Sequence, residues 1–232
     1  MPLVAVTLDA AGTLFAPREP VGVTYARMAA AHGIALDCEA ANARFRDALR
    51  AAPPLAFPRV PRERRGDAER AWWRTLVRAT FGGEAAAGAG FAACFDALYA
   101  HFARPEAWRL EDATLDTLRV LRARGLRLGV VSNFDGRLHA LLAGLGIAPL
   151  VDAIVASVDH DAAKPDPRLF QAAARRLGVA PAEALHVGDD LEADVGGALA
   201  AGFRAVLLAP DGEAAPSGVP VIRRLRDLPA AL

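Results

Sequence analysis

The feature that most constrains the fold is a regular alternation of short apolar runs with helical patterns in the second half of the chain. Runs typical of strands occupy 126–131, 152–157, 183–189 and 203–209, and patterns typical of helices fill 136–146, 167–178 and 191–202. Strands that alternate with helices predict right-handed crossovers and a parallel, doubly wound α/β sheet. In such a sheet, ligands bind outside the carboxyl ends of the strands.

The span from about Pro17 to Arg104 has a different character, with helical patterns and no strand-like run. The helical patterns cover 23–33, 39–52, 67–82 and 90–102, with Pro- and Gly-rich breakers between them. We therefore predict an all-helical domain at 17–104, inserted into an α/β core domain formed by 1–16 and 105–232.

The charge balance excludes some classes of partner. The 27 basic residues are matched by 27 acidic ones, so no net field favours nucleic acid or an anionic membrane surface. No apolar run approaches the roughly 20 residues of a membrane-spanning helix. The apolar stretch at the N-terminus ends at Asp9 and does not resemble a signal peptide. We expect a cytoplasmic protein with neither nucleic-acid nor membrane partners; the sequence leaves its oligomeric state open.

Four short polar motifs follow predicted strands, where a doubly wound sheet would bring them together. They are Asp9 with Gly12 and Thr13, the pair Ser132-Asn133, Lys164 in "KPDP", and "GDDLEAD" at 188–194. Each alone has a plain structural interpretation as a turn, a helix cap or a surface charge; Asp190, for example, is suited to cap the next helix. Their joint occurrence in this order predicts a single site.

The third motif contains the single lysine of the chain, Lys164, beside 26 arginines elsewhere. A generic positive charge in such a chain would be arginine. A compact site favours the small ammonium group over the planar guanidinium. Lys164 is therefore a candidate site residue.

Together the motifs predict phosphoryl transfer to a carboxylate. Asp9 is suited to attack phosphorus and form an aspartyl-phosphate. Asp9 and Asp189 offer the oxygen ligands that Mg²⁺ prefers. Lys164, the Ser132 hydroxyl and the Asn133 backbone N–H would hold the phosphoryl oxygens, and positioning with charge stabilisation is most of what this reaction needs. The predicted substrate is a small phosphorylated molecule.

These motifs resemble the haloacid dehalogenase superfamily, in particular its hydrolase domain-containing subgroup of type three. "TLDAAGTLF", "VVSN", "KPDP" and "VGDDLEAD" are similar to the four family motifs, and the helical insertion is similar to a C1-type cap. The resemblance implies a Rossmann-like core, with Thr13 as the hydroxyl that orients the nucleophile. It also implies that Asp194 supports the metal from outside, and it leaves the role of Asp190 open.

The sequence departs from the family pattern at Ala11, where family phosphatases usually carry the aspartate that serves as general acid and base. The backbone carbonyl at this position usually binds magnesium, and Ala11 still supplies one. Loss of general acid–base assistance costs about 10²- to 10⁴-fold in rate. The expected substrates are therefore those with good leaving groups, such as acyl and aryl phosphates.

Two other activities stay open beside phosphohydrolase. L-2-haloacid dehalogenases also lack the second aspartate, but their fourth motif carries Ser and Asn where this chain has two acids. A binding protein that retains the phosphate and magnesium pocket is the other alternative, favoured by Ala11 alone. Phosphonoacetaldehyde hydrolases, which resemble "DxAGT", need a cap lysine, and 17–104 contains none.

Overall fold

The computed structural model describes residues 1–212 and 214–232, without the side chain of Glu84. A six-stranded sheet with the order β5-β4-β1-β6-β7-β8 is parallel throughout, and β2 pairs with β3 in a separate two-stranded sheet. The strands are β1 Ala5–Leu8, β2 Phe15–Pro17, β3 Trp108–Leu110, β4 Arg127–Ser132, β5 Ala153–Ala156, β6 Ala184–Gly188, β7 Arg204–Leu208 and β8 Val221–Ile222. The parallel α/β sheet predicted from the alternation is thus confirmed.

The α-helices of the described chain follow the predicted spans in most places. They are α1 Val21–Ala31, α2 Cys38–Ala51, α3 Arg65–Phe81, α4 Gly83–Ala87, α5 Phe91–His101, α6 Thr114–Ala123, α7 Leu138–Gly144, α8 Ser157–His160, α9 Pro167–Leu177, α10 Gly197–Ala200 and α11 Leu228–Ala231. Local chemistry fixes α9 well: the Asp166 side chain accepts from the Arg168 N–H at its start, and Gly178 ends it at a φ of 65°.

One predicted helix has a different form. The span 191–202 begins as a π-helical turn, Leu191–Gly196, and becomes α-helical only at α10. The patterns also gave no prediction for α6 or β8. Strand β8 has only two residues, which are too few to show a period. A π-turn changes the direction in which its side chains point, and such turns occur often at functional sites.

Contacts divide the chain into two compact units. The first contains 1–16, 55–58 and 110–232, and the second contains 17–54 and 59–109. Segment 55–58 thus groups with the sheet although it lies within the predicted insertion, and Ser157 Oγ donates to the Leu55 carbonyl at 2.5 Å. The predicted assignment of 17–104 as a cap domain stays a prediction.

Each unit has its own apolar core. In the sheet unit, α9 and the strands bury Leu169, Phe170 and Val155, while the helical unit buries an aromatic cluster that includes Tyr25 and Phe95. Among the described residues, no helix combines the length and the apolar character that crossing a bilayer requires.

The strand register brings the motifs to one edge of the sheet. Leu8 of β1 pairs with Val130 of β4 on one side and with Val187 of β6 on the other. The carboxyl ends of these three central strands therefore lie within two residues of one another in the register, with neighbouring strands about 4.8 Å apart. The residues that follow them converge, as the sequence predicted.

Candidate active site

Asp9 stands at the centre of this edge, immediately after β1. Its backbone N–H bonds to the Val187 carbonyl of β6 at 2.9 Å, and only 6% of the residue is exposed. The chain then turns through Gly12, whose φ of 101° is a conformation that residues with a Cβ rarely adopt. A Cβ on Gly12 would also lie 2.5 Å from a carboxylate oxygen of Asp189. Glycine is therefore required here both for its backbone conformation and for its lack of a side chain.

Lys164 reaches this edge from the loop between α8 and α9. Its ammonium donates to Asp9 Oδ1 and to Asp194 Oδ1, each at 2.5 Å, and its side chain is almost fully buried. Burial alone would lower the pKa of Lys164, but the carboxylates of Asp194 and Asp9 raise it well above its usual value. The ammonium is therefore held charged between two acids.

Asn133 holds the backbone of Lys164 rather than reaching outward with its side chain. Asn133 Nδ2 donates to the Lys164 carbonyl at 3.0 Å, and the Lys164 N–H donates to Asn133 Oδ1 at 2.7 Å. This reciprocal pair ties the second motif to the third. The sequence predicted a role for the Asn133 backbone N–H and did not predict this contact of its side chain.

Ser132 and Thr13 are both buried at the same edge. Ser132 is the last residue of β4, two positions beyond the pairing of Val130 with Leu8. Thr13 Oγ1 donates to Asp189 Oδ1 at 3.2 Å. The family resemblance implies that Thr13 orients Asp9, whereas the bond that the structure records orients Asp189.

Three acids surround the position beside the Lys164 ammonium. Oxygens of Asp9, Asp189 and Asp194 all lie within 4.8 Å of one another. Burial raises the pKa of Asp9 although Lys164 lowers it, and burial together with the charges of Asp9 and Asp194 raises the pKa of Asp189 to about 7. Three carboxyl groups against one ammonium leave a deficit of positive charge.

This donor set fits a hard divalent cation. Carboxylate oxygens are the ligands that Mg²⁺ prefers, and a charge of +2 would balance the two acids that Lys164 leaves uncompensated. Asp189 is the one exposed acid of the three, and the other two are buried. The backbone of Ala11 lies in the same turn, where it forms a bridge with Phe15.

The π-helical turn places the last two acids differently. Asp190 caps the turn, since its Oδ1 accepts from the N–H groups of Glu192 and Ala193, which confirms the capping interpretation of this residue. Asp194, one turn later, points back so that its Oδ2 accepts from the Asp190 N–H at 3.1 Å. A Cβ on Gly188 would lie 2.2 Å from Asp194 Cγ, so glycine leaves the space that this carboxylate fills.

Behind Asp194 lie His186, which is outside the motifs, and Thr7, which the first motif contains but to which the sequence assigned no role. His186 lies within the strand-like run at 183–189, a position that predicts a core residue with satisfied hydrogen bonds. This is confirmed: Nε2 contacts Asp194 Oδ1 at 3.1 Å and Nδ1 contacts Thr7 Oγ1 at 2.9 Å. Burial alone would raise the pKa of Asp194, but Lys164 and His186 together lower it below its usual value. The available signal was a polar residue at the centre of each of two otherwise apolar strands.

Comparison with known proteins places this site in context. The sequence profile of the family described as haloacid dehalogenase-like hydrolase matches residues 3–202. The human haloacid dehalogenase-like hydrolase domain-containing protein 3 is 39% identical over 203 residues, which are 87% of this chain and 80% of the human one. A phosphoserine phosphatase from Thermus thermophilus is 43% identical over 101 residues, 41% of each chain.

A solved structure shares the fold. The crystal structure of a HAD phosphatase from Thermococcus onnurineus superposes with a TM-score of 0.68 at 24% identity, and the match covers 99% of this chain and 97% of that one.

Proposed function

Because the chain belongs to the haloacid dehalogenase-like hydrolase family, we propose that it is a Mg²⁺-dependent phosphohydrolase that acts on a small phosphorylated metabolite. The observation that carries the proposal is the meeting of Asp9, Lys164 and Asp189 at one edge of the sheet. Phosphatases among the partial relatives support a phosphate ester as the substrate class.

The proposed reaction has two displacements at phosphorus. Asp9 attacks the phosphoryl group, its oxygen forms the new bond to phosphorus, and the leaving oxygen departs with the electron pair of the broken bond. Water then attacks the aspartyl-phosphate, which releases inorganic phosphate and regenerates Asp9. Splitting the reaction in this way replaces one difficult step with two easier ones.

Positive charge in the site makes the approach of two anions possible. Lys164 neutralises Asp9 at rest and is placed to stabilise a phosphoryl oxygen as charge develops. Ser132, with the Asn133 backbone N–H, would contact a further oxygen. When bound by Asp9, Asp189 and the Ala11 carbonyl, with Asp194 in support, Mg²⁺ would supply charge neutralisation.

Ala11 restricts the proposed substrate range. It has no proton to give to a leaving alkoxide and no basic atom to accept one from the attacking water. Leaving groups that depart without protonation, such as carboxylates and phenolates, avoid the first of these losses. An enzyme with the full acid–base pair has some preference for acyl and aryl phosphates over alkyl phosphates. In this protein we expect that rate ratio to be larger by about 10²- to 10⁴-fold.

A panel of acetyl phosphate, p-nitrophenyl phosphate, glycerol 3-phosphate and 2-chloropropionate tests the proposal, with phosphate and halide release as readouts. We expect turnover of the first two only with Mg²⁺, and its loss in Asp9→Asn. The matched control is Asp47→Asn, an exposed aspartate paired with Arg50, which should leave the rates unchanged.

The same panel separates the two alternative functions. L-2-haloacid dehalogenases share the lack of the second aspartate, but the acids Asp189 and Asp194 would repel a carboxylate substrate. Halide release without metal would establish that activity and refute ours. Mg²⁺ binding with no turnover of either activated phosphate would establish a binding protein instead.

A further inference from the structure

Asp194 is backed by a chain of two buried polar side chains. Thr7 of β1 and His186 of β6 are paired directly in the strand register, so their side chains point to the same face of the sheet. Thr7 is 0% exposed and His186 is 1% exposed. All other residues of these two strands are apolar or glycine, so the pair is a polar inclusion in the centre of the core.

The direction of each hydrogen bond follows from the groups involved. The Asp194 carboxylate can only accept, so His186 Nε2 carries the proton and donates to Oδ1 at 3.1 Å. With the ring proton on Nε2, Nδ1 is left as the acceptor. Thr7 Oγ1 donates to it at 2.9 Å, a shorter contact than the 3.3 Å between the hydroxyl and the Leu185 carbonyl. Thr7 thus fixes the tautomer that His186 needs in order to hold Asp194.

Packing fixes the plane of the imidazole ring as well. The ring of Phe170, on α9, meets it edge to face with the centroids 5.0 Å apart. Two positions further along β6, Gly188 leaves the space in which the Asp194 carboxylate lies. The imidazole ring is therefore held by Phe170 and by its two hydrogen bonds, and the carboxylate by His186 and by the space beside Gly188.

Asp194 Oδ1 is shared between His186 and the Lys164 ammonium, which in turn contacts Asp9. The orientation of the carboxylate therefore determines where the ammonium lies relative to the nucleophile. Burying an imidazole ring costs free energy that its hydrogen bonds have to offset, and an apolar side chain at this position would carry no such cost. A polar residue here is therefore explained by what its hydrogen bonds hold in place.

We propose that His186, held by Thr7, is a positioning residue that fixes the Asp194 carboxylate and, through it, the Lys164 ammonium beside Asp9. The inference rests on the proposed phosphohydrolase function for its kinetic consequence but not for its structural one. His186 itself contacts neither substrate nor reacting atoms. Outer residues that orient the groups of a metal site contribute about 10- to 100-fold in activity or metal affinity.

Three variants at one position test this role. In His186→Gln the amide nitrogen can reach the place of Nε2, whereas in His186→Asn the shorter side chain leaves its amide near the place of Nδ1. His186→Leu removes both ring nitrogens. We expect kcat on acetyl phosphate to fall about 10- to 100-fold in the Asn and Leu variants with KM within about 3-fold, and Gln to recover most of the loss.

The single lysine of the chain provides a readout that does not depend on activity. Protein labelled with ¹⁵N-lysine gives one ammonium signal by NMR, that of Lys164. In metal-free wild type and in His186→Gln we expect this signal to be protected from exchange with water. In His186→Asn and His186→Leu we expect it to broaden or disappear, and calorimetry should show Mg²⁺ binding weakened by about 10-fold.

Urea unfolding of each variant identifies those that are folded. If His186→Leu does not fold, the comparison of His186→Gln with His186→Asn still tests the proposal. An unchanged ammonium signal and unchanged Mg²⁺ affinity in folded His186→Asn would overturn the proposal, as would a Gln variant no better than Asn. If wild type hydrolyses no phosphate but the ammonium signal responds as expected, the proposed function fails and the positioning role stands.

Discussion

Replacing Lys164 with methionine should destabilise the metal-free protein severely. The ammonium lies 2.5 Å from Asp9 Oδ1 and 2.5 Å from Asp194 Oδ1. At an effective dielectric constant of about 20, each contact provides roughly 7 kcal/mol of Coulomb attraction. Desolvation of the three charges offsets several kcal/mol per ion. Methionine preserves the aliphatic packing of the side chain, so the change isolates the charge.

Removal of one partner of a buried ion pair costs about 3–5 kcal/mol. Two acids lose their partner here, so we expect a value near 5 kcal/mol, against a total stability of about 5–15 kcal/mol for a typical domain. Urea unfolding followed by tryptophan fluorescence in EDTA measures it. A decrease below about 1 kcal/mol would refute the reasoning, because it would mean that the acids are not buried with the ammonium.

A double-mutant cycle identifies the cause of the loss. Adding Asp9→Asn to Lys164→Met removes one of the stranded charges, so the double variant should be more stable than the sum of the single changes predicts, by about 1–3 kcal/mol. Mg²⁺ should stabilise Lys164→Met more than wild type, since the cation takes over the missing charge. Additive effects would show that Lys164 and Asp9 do not interact in solution.

Three further predictions concern other parts of the sheet unit. Ala11→Asp should raise the rate on glycerol 3-phosphate by about 10-fold or more, because it supplies the missing acid; an unchanged or lower rate in the phosphate-release assay would contradict this. Gly188→Ala should cost about 1–3 kcal/mol in urea unfolding and weaken Mg²⁺ binding in calorimetry, since the added Cβ would meet Asp194 Cγ at 2.2 Å. Burial alone would raise the pKa of Asp152, but the Leu128 N–H at 2.8 Å and the nearby Arg122 lower it. Because Asp152 is half exposed, its contribution to the free energy of unfolding is discounted to about 1 kcal/mol. This stabilisation is present above the unfolded pKa of 3.8 and is lost as the pH falls through the lower pKa of the folded state. Asp152→Asn should remove that part of the acid dependence of stability.

The sequence alone determined the sheet and the edge at which the site forms. Alternating apolar runs and helical patterns are local signals, and a parallel sheet places the ends of its strands together whatever the details of packing. Asp9, Ser132 and Asp189 therefore converge at an edge that could be predicted from the strand ends. Lys164 was identifiable by chemistry, as the single lysine among arginines.

The tertiary structure decided which atoms meet. Lys164 lies 155 residues from Asp9, and the hydroxyl of Thr13 lies 176 residues from its partner Asp189. The reciprocal bonds of Asn133 to the Lys164 backbone and the π-turn that directs Asp194 inward are also absent from any local pattern. The physical reason is that periodicity encodes which face of an element is buried, whereas a hydrogen bond between distant residues depends on register and packing at a scale of tenths of an ångström. His186 is an example of both: its burial was predictable from the strand in which it lies, whereas its contact with Asp194 was decided by the tertiary structure.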